Sequence, residues 1–312
     1  MARRSKQNIK AAGRAVAGLG QCSLDNIALT DGFPQEDSKP EASVLLTQGG
    51  GPVATALVTL ARLGVKTSFM GIVGDDDAGR AIKKELKAEG VSTAGLVTRK
   101  DSSSQRAFII VNTKTASRTV IWQRASGAPL APAEIRPALI KTAKLLLLDG
   151  LMEDASLAAA ELAGSFNVPT LLDAGSMRPG MIELIKISDY VVASEKFASA
   201  LSDTPKKALK ELRAIAPQAK ALTVTLGKNG SITCAAGSLI ARGAFKVEAT
   251  DSTGAGDVFH GGFAYGILKG WPIDKTIEFA SAAAALKCRK AGGRTGIPTP
   301  AQTQRLIKEQ AI

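Results

Sequence analysis

The chain has 312 residues, 45% of them hydrophobic, enough for the buried core of one large domain or two ordinary ones. It contains no apolar run of membrane-spanning length and its first residues lack the apolar core of a signal peptide, which points to a cytoplasmic protein without membrane partners. The net charge of +12 raises nucleic acid as a partner, but the basic residues are spread along helical segments (Lys83, Lys84, Lys87; Lys206, Lys207, Lys210) and aromatics make up only 4%, so no stacking platform for bases is visible.

Residues 1–12 are polar and basic, with Arg3, Arg4, Lys6 and Lys10, and read as a disordered, solvated tail. From Arg14 to Leu19 the pattern predicts a short apolar strand ending in Gly18-Leu-Gly20-Gln-Cys-Ser23. That run imitates the opening of a dinucleotide fingerprint, yet Ser23 occupies the third glycine position and no clean helix follows. Asp25 comes at the strand's end, where a carboxylate either caps a turn or orients a polyol by accepting hydroxyl hydrogen bonds. Residues 27–48 are broken by Phe33-Pro34 and Lys39-Pro40 and predict strands of an edge sheet or flap. Gly49, Gly50 and Gly51 then precede Pro52 at a helix start, with Val53, Leu57 and Leu60 on one face.

Asp75, Asp76 and Asp77 follow a strand and precede the helix of Ile82 and Leu86, closed by Gly90. Without further spaced oxygen ligands they read as helix caps rather than a metal site. Arg106 to Trp122 holds two apolar runs around a polar turn, a hairpin that together with 27–48 would form a lid excluding water from a reacting group. Four short apolar runs, ending in Asp149-Gly150, Asp173-Ala-Gly175, Ser194 and Gly227, alternate with helical segments and predict a doubly wound parallel sheet. Asp149 and Asp173 fall just past strand ends, where ligands bind in open α/β sheets. Cys22, Cys234 and Cys288 are odd in number and lack metal spacing, so they read as reduced, buried thiols.

Asp251-Ser-Thr-Gly254-Ala-Gly256-Asp257 delivers the chain into a helix marked by Phe259, Phe263 and Ile267. The first amides of a helix have no partner and attract anions. Asp257, in the first turn, either complements the helix dipole or takes a proton from a hydroxyl beside that anion hole. Gly261, Gly262 and Gly266 weaken the helix by about 1 kcal/mol each, implying a close approach to that face by a ligand or by packing. His260, the single histidine, is read as filling space or making one hydrogen bond.

The 251–257 run closely resembles the Asp-Thr-x-Gly-Ala-Gly-Asp signature of the ribokinase-like (PfkB) carbohydrate kinases, with Ser252 in the usual threonine place. Gly50 and Gly51, counted back from Arg62-Leu63-Gly64, resemble the family's first glycine pair, with Thr55 in the place of an asparagine. The resemblance spans residues 14–305 and implies one kinase domain over 13–312: a three-layer α/β/α, mostly parallel, doubly wound sheet with a small β-sheet lid from 27–48 and 105–124. It implies transfer of the γ-phosphate of ATP to a sugar hydroxyl, with Asp257 as catalytic base and the amides of Gly254, Ala255 and Gly256 as anion hole. Substrate contacts carried over are Asp25, Gly50, Gly51 and Thr55. Those for ATP are Ser194, Thr225, Gly227, Lys228, Gly230, Gly254, Gly256 and Gly293. The family's Asn-x-x-Glu element is replaced by Ser194-Glu-Lys-Phe197, leaving Glu195 as the nearest metal contact for Mg2+, and a monovalent cation, K+, is placed near Asp251.

Details around Gly51, Val258 and Cys288 most resemble the branch containing sulfofructose kinase, which acts on an anionic ketose. The lid hairpin and the Gly150-Leu151-Met152 loop do not, so the substrate is not carried over. Lys39, Arg106 and Arg124 are candidate readers of an anionic group. Trp122 would stack a purine if the chain were instead a nucleoside kinase, and a sugar-binding protein without catalysis is the reading from outside the enzymes. By family analogy the lid suits a homodimer.

Overall fold

The computed structural model describes residues 15–310, and the basic segment 1–12 lies outside them. Along the chain come β1 (Val16–Leu19), β2 (Ser23–Thr30), β3 (Val44–Gly50), α1 (Pro52–Arg62), β4 (Thr67–Gly74), α2 (Asp77–Ala88), β5 (Val91–Arg99), β6 (Arg106–Asn112) and β7 (Arg118–Gln123). Then follow α3 (Pro137–Lys141), β8 (Leu145–Leu148), α4 (Glu153–Ser165), β9 (Thr170–Ala174), α5 (Met181–Ile187), β10 (Tyr190–Ser194), α6 (Glu195–Leu201), α7 (Pro205–Ile215) and β11 (Ala221–Thr225). The chain closes with β12 (Ser231–Ala235), β13 (Ser238–Arg242), α8 (Ala255–Leu268), α9 (Ile273–Lys287) and α10 (Pro300–Gln310).

Nine strands form one sheet in the order β13-β12-β11-β10-β9-β8-β1-β4-β5, parallel except where β12 and β13 turn back. Successive strand residues feed opposite cores. Leu146 and Leu148 join one cluster with α4, α5 and α7, whereas Leu145 and Leu147 join a second with α1, α8 and α9. A strand buried on both faces has no polar side, which is why Leu145–Leu148 is uninterrupted leucine. Asp76 caps α2 by accepting Gly79 N–H at 2.8 Å and Asp77 stands in its first turn, whereas Asp75 accepts the N–H groups of Asp101 and Ser102 at 3.0 and 3.2 Å. Among the described residues no helix is long and apolar enough to cross a membrane.

The lid is a separate four-stranded sheet, β3-β2-β6-β7. It differs from expectation at its start: β2 begins at Ser23 and lies between β3 and β6, so it is central rather than an edge, and Asp25 sits inside a strand instead of after one. The reason is pairing on both sides, Asp25 being opposite Gln48 and Ala107. Its inner face buries Ile27, Leu29, Ala107, Ile109 and Val111. Its outer face leaves Leu45, Phe108 and Ile121 exposed at 77%, 61% and 58%, brought together because Ala28 pairs with Leu45 and Ile110, and Phe108 with Ile121.

Candidate active site

The mouth of α8 is built by a turn that only glycine fits. Gly254 caps the helix at φ 74°, and a Cβ there would lie 2.7 Å from Gly293 O. Among the described residues the amides of Gly254, Gly256 and Asp257 find no acceptor, whereas Ala255 N–H donates to Ser252 O at 3.2 Å. The amides left free at this helix mouth are therefore those of Gly254, Gly256 and Asp257, while that of Ala255, expected among them, is engaged within the turn. Ser252 anchors the turn to the lid: its hydroxyl and its N–H donate to Ala116 O at 2.8 and 3.0 Å. Gly261, Gly262 and Gly266 answer to packing rather than ligand, with Thr59 of α1, and Ala280 and Thr276 of α9, against them.

Asp257 is half-buried beside this hole. Burial, reinforced by the like charge of Asp173, pushes its carboxyl up to about 7, against the cations His260 and Arg118 and with a small upward push from Asp25. Asp149, at the end of β8, is pushed up to about 7 chiefly by burial, although it accepts N–H bonds from Gln21 at 2.9 Å and Leu151 at 3.0 Å. Asp173, at the end of β9, is raised by burial and opposed by His260 and Arg178. Asp25 is raised by burial, opposed by the Ser23 hydroxyl that donates to it at 2.6 Å. Gly50 is glycine for Asp25's sake, since a Cβ there would come within 2.0 Å of its Oδ2. Four carboxylates from strand ends, the lid base and a helix mouth thus share one region, where burial raises the proton affinity of each.

His260 does more than fill space. Its Nδ1 lies 2.7 Å from Gly256 O, and its Nε2 3.3 Å from Val192 O and 3.5 Å from Asp173 Oδ1. Its field opposes the upward push on the neighbouring Asp257 and Asp173 carboxyls.

Thr55 is engaged by the protein itself. It is buried, and its hydroxyl accepts from Arg294 Nε at 3.2 Å. Arg294, 2% exposed, also donates to Glu85 Oε1 and to Gly50 O, each at 3.1 Å, while its N–H donates to Gln48 Oε1 at 2.7 Å. This side chain therefore ties β3, α1 and α2 to the loop carrying Gly293. Sequence reasoning passed over it, and the available signal was an arginine between glycines after a second-signature helix. Lys39 is exposed in the β2–β3 connection. Arg106 is paired with Asp76 at 3.4 Å, whereas among the described residues Lys39 and Arg124 make no ion pair. Arg124 lies over the Trp122 ring, 5.1 Å from its centroid. Arg178, not foreseen, has its proton affinity lowered by burial and shares the fields of Asp149, Arg124 and Asp173.

On the other side of α8, Ser194 caps α6: its hydroxyl donates to Gly175 O at 2.7 Å and accepts from Phe197 N at 3.1 Å. Both roles are structural, so Ser194 is a poor nucleotide contact. Glu195 is exposed in the first turn of α6, and among the described residues no group of three or more His, Cys, Asp or Glu side chains could hold a metal ion. Thr225 ends β11, its hydroxyl donating to Ala193 O at 3.3 Å, and the Gly227–Asn229 turn presents Gly227 and Lys228 to solvent before Gly230. Gly293 is buried against the α8 turn. At Asp251 no oxygen is left without a donor: Thr253 N–H and Gly292 N–H reach its carboxylate and Lys287 Nζ its carbonyl, all at 2.7 Å. The Asp251 carbonyl, beside which a monovalent ion was expected, thus accepts from the Lys287 side chain.

With this geometry, residues 14–300 match the family described as "pfkB family carbohydrate kinase". A ribokinase of Bacillus subtilis (strain 168) is 30% identical over 297 residues, covering 94% of this chain and 99% of that protein. A 5-dehydro-2-deoxygluconokinase of Geobacillus thermodenitrificans (strain NG80-2) is 29% identical over 286 residues, 83% of this chain and 84% of that one. The solved structure of an Arabidopsis thaliana ribokinase complexed with ribose and ATP superposes with a TM-score of 0.80 at 23% identity, covering 95% of this chain and 99% of that one.

Proposed function

The chain belongs to the pfkB family of carbohydrate kinases, and from that membership we propose that it transfers the γ-phosphate of ATP to a hydroxyl of a sugar or anionic sugar derivative, with Asp257 as general base. The observation that carries the reading is the juxtaposition of Asp257, pushed up to about 7, with helix-mouth amides that have no acceptor. The acceptor hydroxyl gives its proton to Asp257 as its oxygen bonds to the γ-phosphorus. The bridging bond to ADP breaks, and the N–H groups of Gly254, Gly256 and Asp257 take up charge on the phosphoryl oxygens. Positioning and electrostatics supply most of the acceleration.

The adenine side is assigned to the Thr225–Gly230 turn and the Gly293 loop, and Lys228 to a phosphate. Mg2+ would be held through phosphate oxygens and water, with Glu195 the carboxylate that reaches it, and would neutralise phosphate charge. Asp25, Asp149 and Asp173 orient the acceptor's hydroxyls. Arg124 and Arg178, two guanidinium groups within each other's field above these acids, support an acceptor that carries an anion. The exposed outer face of the lid supports a homodimer.

The test is ATP consumption with Mg2+ across ketoses, aldoses, their phosphates, acids and sulfonates, and nucleosides, with Asp257→Asn alongside. One acceptor whose turnover disappears in the variant is the expected result. Turnover that persists in it refutes the base, and preference for a nucleoside refutes the substrate class.

A further inference from the structure

A second charged group stands behind the anion-binding turn, and its role rests on the kinase reading above. Lys287 ends α9 fully buried, because Phe279, Ala283 and Lys287 recur four apart on the helix face packed into the core. A lysine there gives up its hydration, which is expensive unless the ammonium is used. Its Nζ donates to the backbone carbonyl of Asp251 at 2.7 Å. Asp251, also fully buried, accepts Thr253 N–H on one carboxylate oxygen and Gly292 N–H on the other.

Those contacts clamp both sides of the anion hole. Thr253 leads directly into Gly254, while Gly292 precedes Gly293, whose carbonyl crowds Gly254. Burial lowers the proton affinity of Lys287 and Asp251 opposes this, while Arg118 and Asp257 also lie within its field, so the group is coupled to the place where phosphoryl charge would gather. In this turn the buried polar side-chain atom without a partner is Thr253 Oγ1, and one hydroxyl is too few oxygens for an ion site. A monovalent cation brought to the oxygens of Asp251 would meet a like charge in surroundings with little water, where repulsion is strongest.

We propose that the Lys287 ammonium is the built-in cation of this site: it holds the Asp251 carbonyl, keeps the 251–257 turn and the 291–296 loop in register, and makes nucleotide binding independent of added potassium. It is a positioning residue, since it touches the turn and not the phosphate.

The experiment is calorimetric titration of the non-hydrolysable analogue AMP-PNP with Mg2+ into the native protein in choline chloride, repeated with potassium chloride at the same ionic strength. Thermal unfolding is followed in both salts. The expected result is a dissociation constant that changes by less than about threefold and an unchanged Tm. A larger gain in potassium overturns the proposal while leaving the kinase reading intact. Absence of binding in both salts overturns that reading and the proposal with it. Lys287→Met, which keeps length without charge, is expected to lose about tenfold in affinity in choline and to recover it in potassium but not sodium, as the ion enters the vacated place. A folded Lys287→Met protein that binds as well as the native one in choline also overturns the proposal. If that variant does not fold, the salt comparison on the native protein decides alone.

Discussion

Replacing Asp257 by asparagine separates the base from its surroundings, because the change is isosteric and removes only the capacity to ionise. Loss of a general base lowers turnover about 10²- to 10⁴-fold. The same carboxylate burdens the fold. Its proton affinity is raised from an ordinary 3.8 to about 7, so the stability it contributes is full below about pH 4 and is lost as pH rises through about 7. Three units correspond to a ceiling of about 4 kcal/mol, and partial exposure reduces this to roughly 1–2 kcal/mol. Asp257→Asn is therefore expected to be inactive yet more stable than the native chain at pH 8, with the difference vanishing at pH 4. Urea unfolding at the two pH values measures the second effect, and single-turnover phosphoryl transfer measures the first. The native pH profile should rise with one proton through about 7 and stay level above it. That midpoint belongs to the coupled acids rather than to one residue. Near-native turnover in the variant, or lower stability at pH 8, would refute the reasoning.

His260→Gln removes the imidazole whose field holds Asp257's proton affinity down, so the acid limb of the pH–rate profile should move upward with little change in the alkaline plateau. Arg294→Met leaves Gly50 O, the Thr55 hydroxyl and Glu85 without their donor, and chemical denaturation should register a loss of about 1–3 kcal/mol together with a raised acceptor KM. Arg178→Ala should raise KM for an anionic acceptor about tenfold or more while leaving AMP-PNP affinity unchanged, which calorimetry and initial rates read separately. Phe108→Asp on the outer lid face should convert a dimer to a monomer in light scattering, and an unaltered mass would remove that face as the interface.

The fold was legible because its signals are local. Uninterrupted leucine at 145–148 can only be a strand buried on both faces, and glycines before a proline at 49–52 can only be a turn entering a helix. Asp257 and Gly254 were legible for the same reason, since a first-turn carboxylate and a left-handed cap are neighbours in the chain. The pairing of Thr55 with Arg294 was not legible because the two are 239 residues apart and no local pattern joins them. Ala255 was misread because a single backbone bond to Ser252 O uses its amide.

Sequence alone determined the parallel sheet, the small second sheet and the helix mouth with its first-turn carboxylate, each a consequence of periodicity or of residues adjacent in the chain. Tertiary structure decided which carboxylates lie within one another's field, that His260 reaches Asp173, that Arg294 locks the lid strand to the Gly293 loop, and that Lys287 reaches Asp251. These contacts join segments far apart in sequence, and whether a charge is felt or screened depends on the burial that only packing creates.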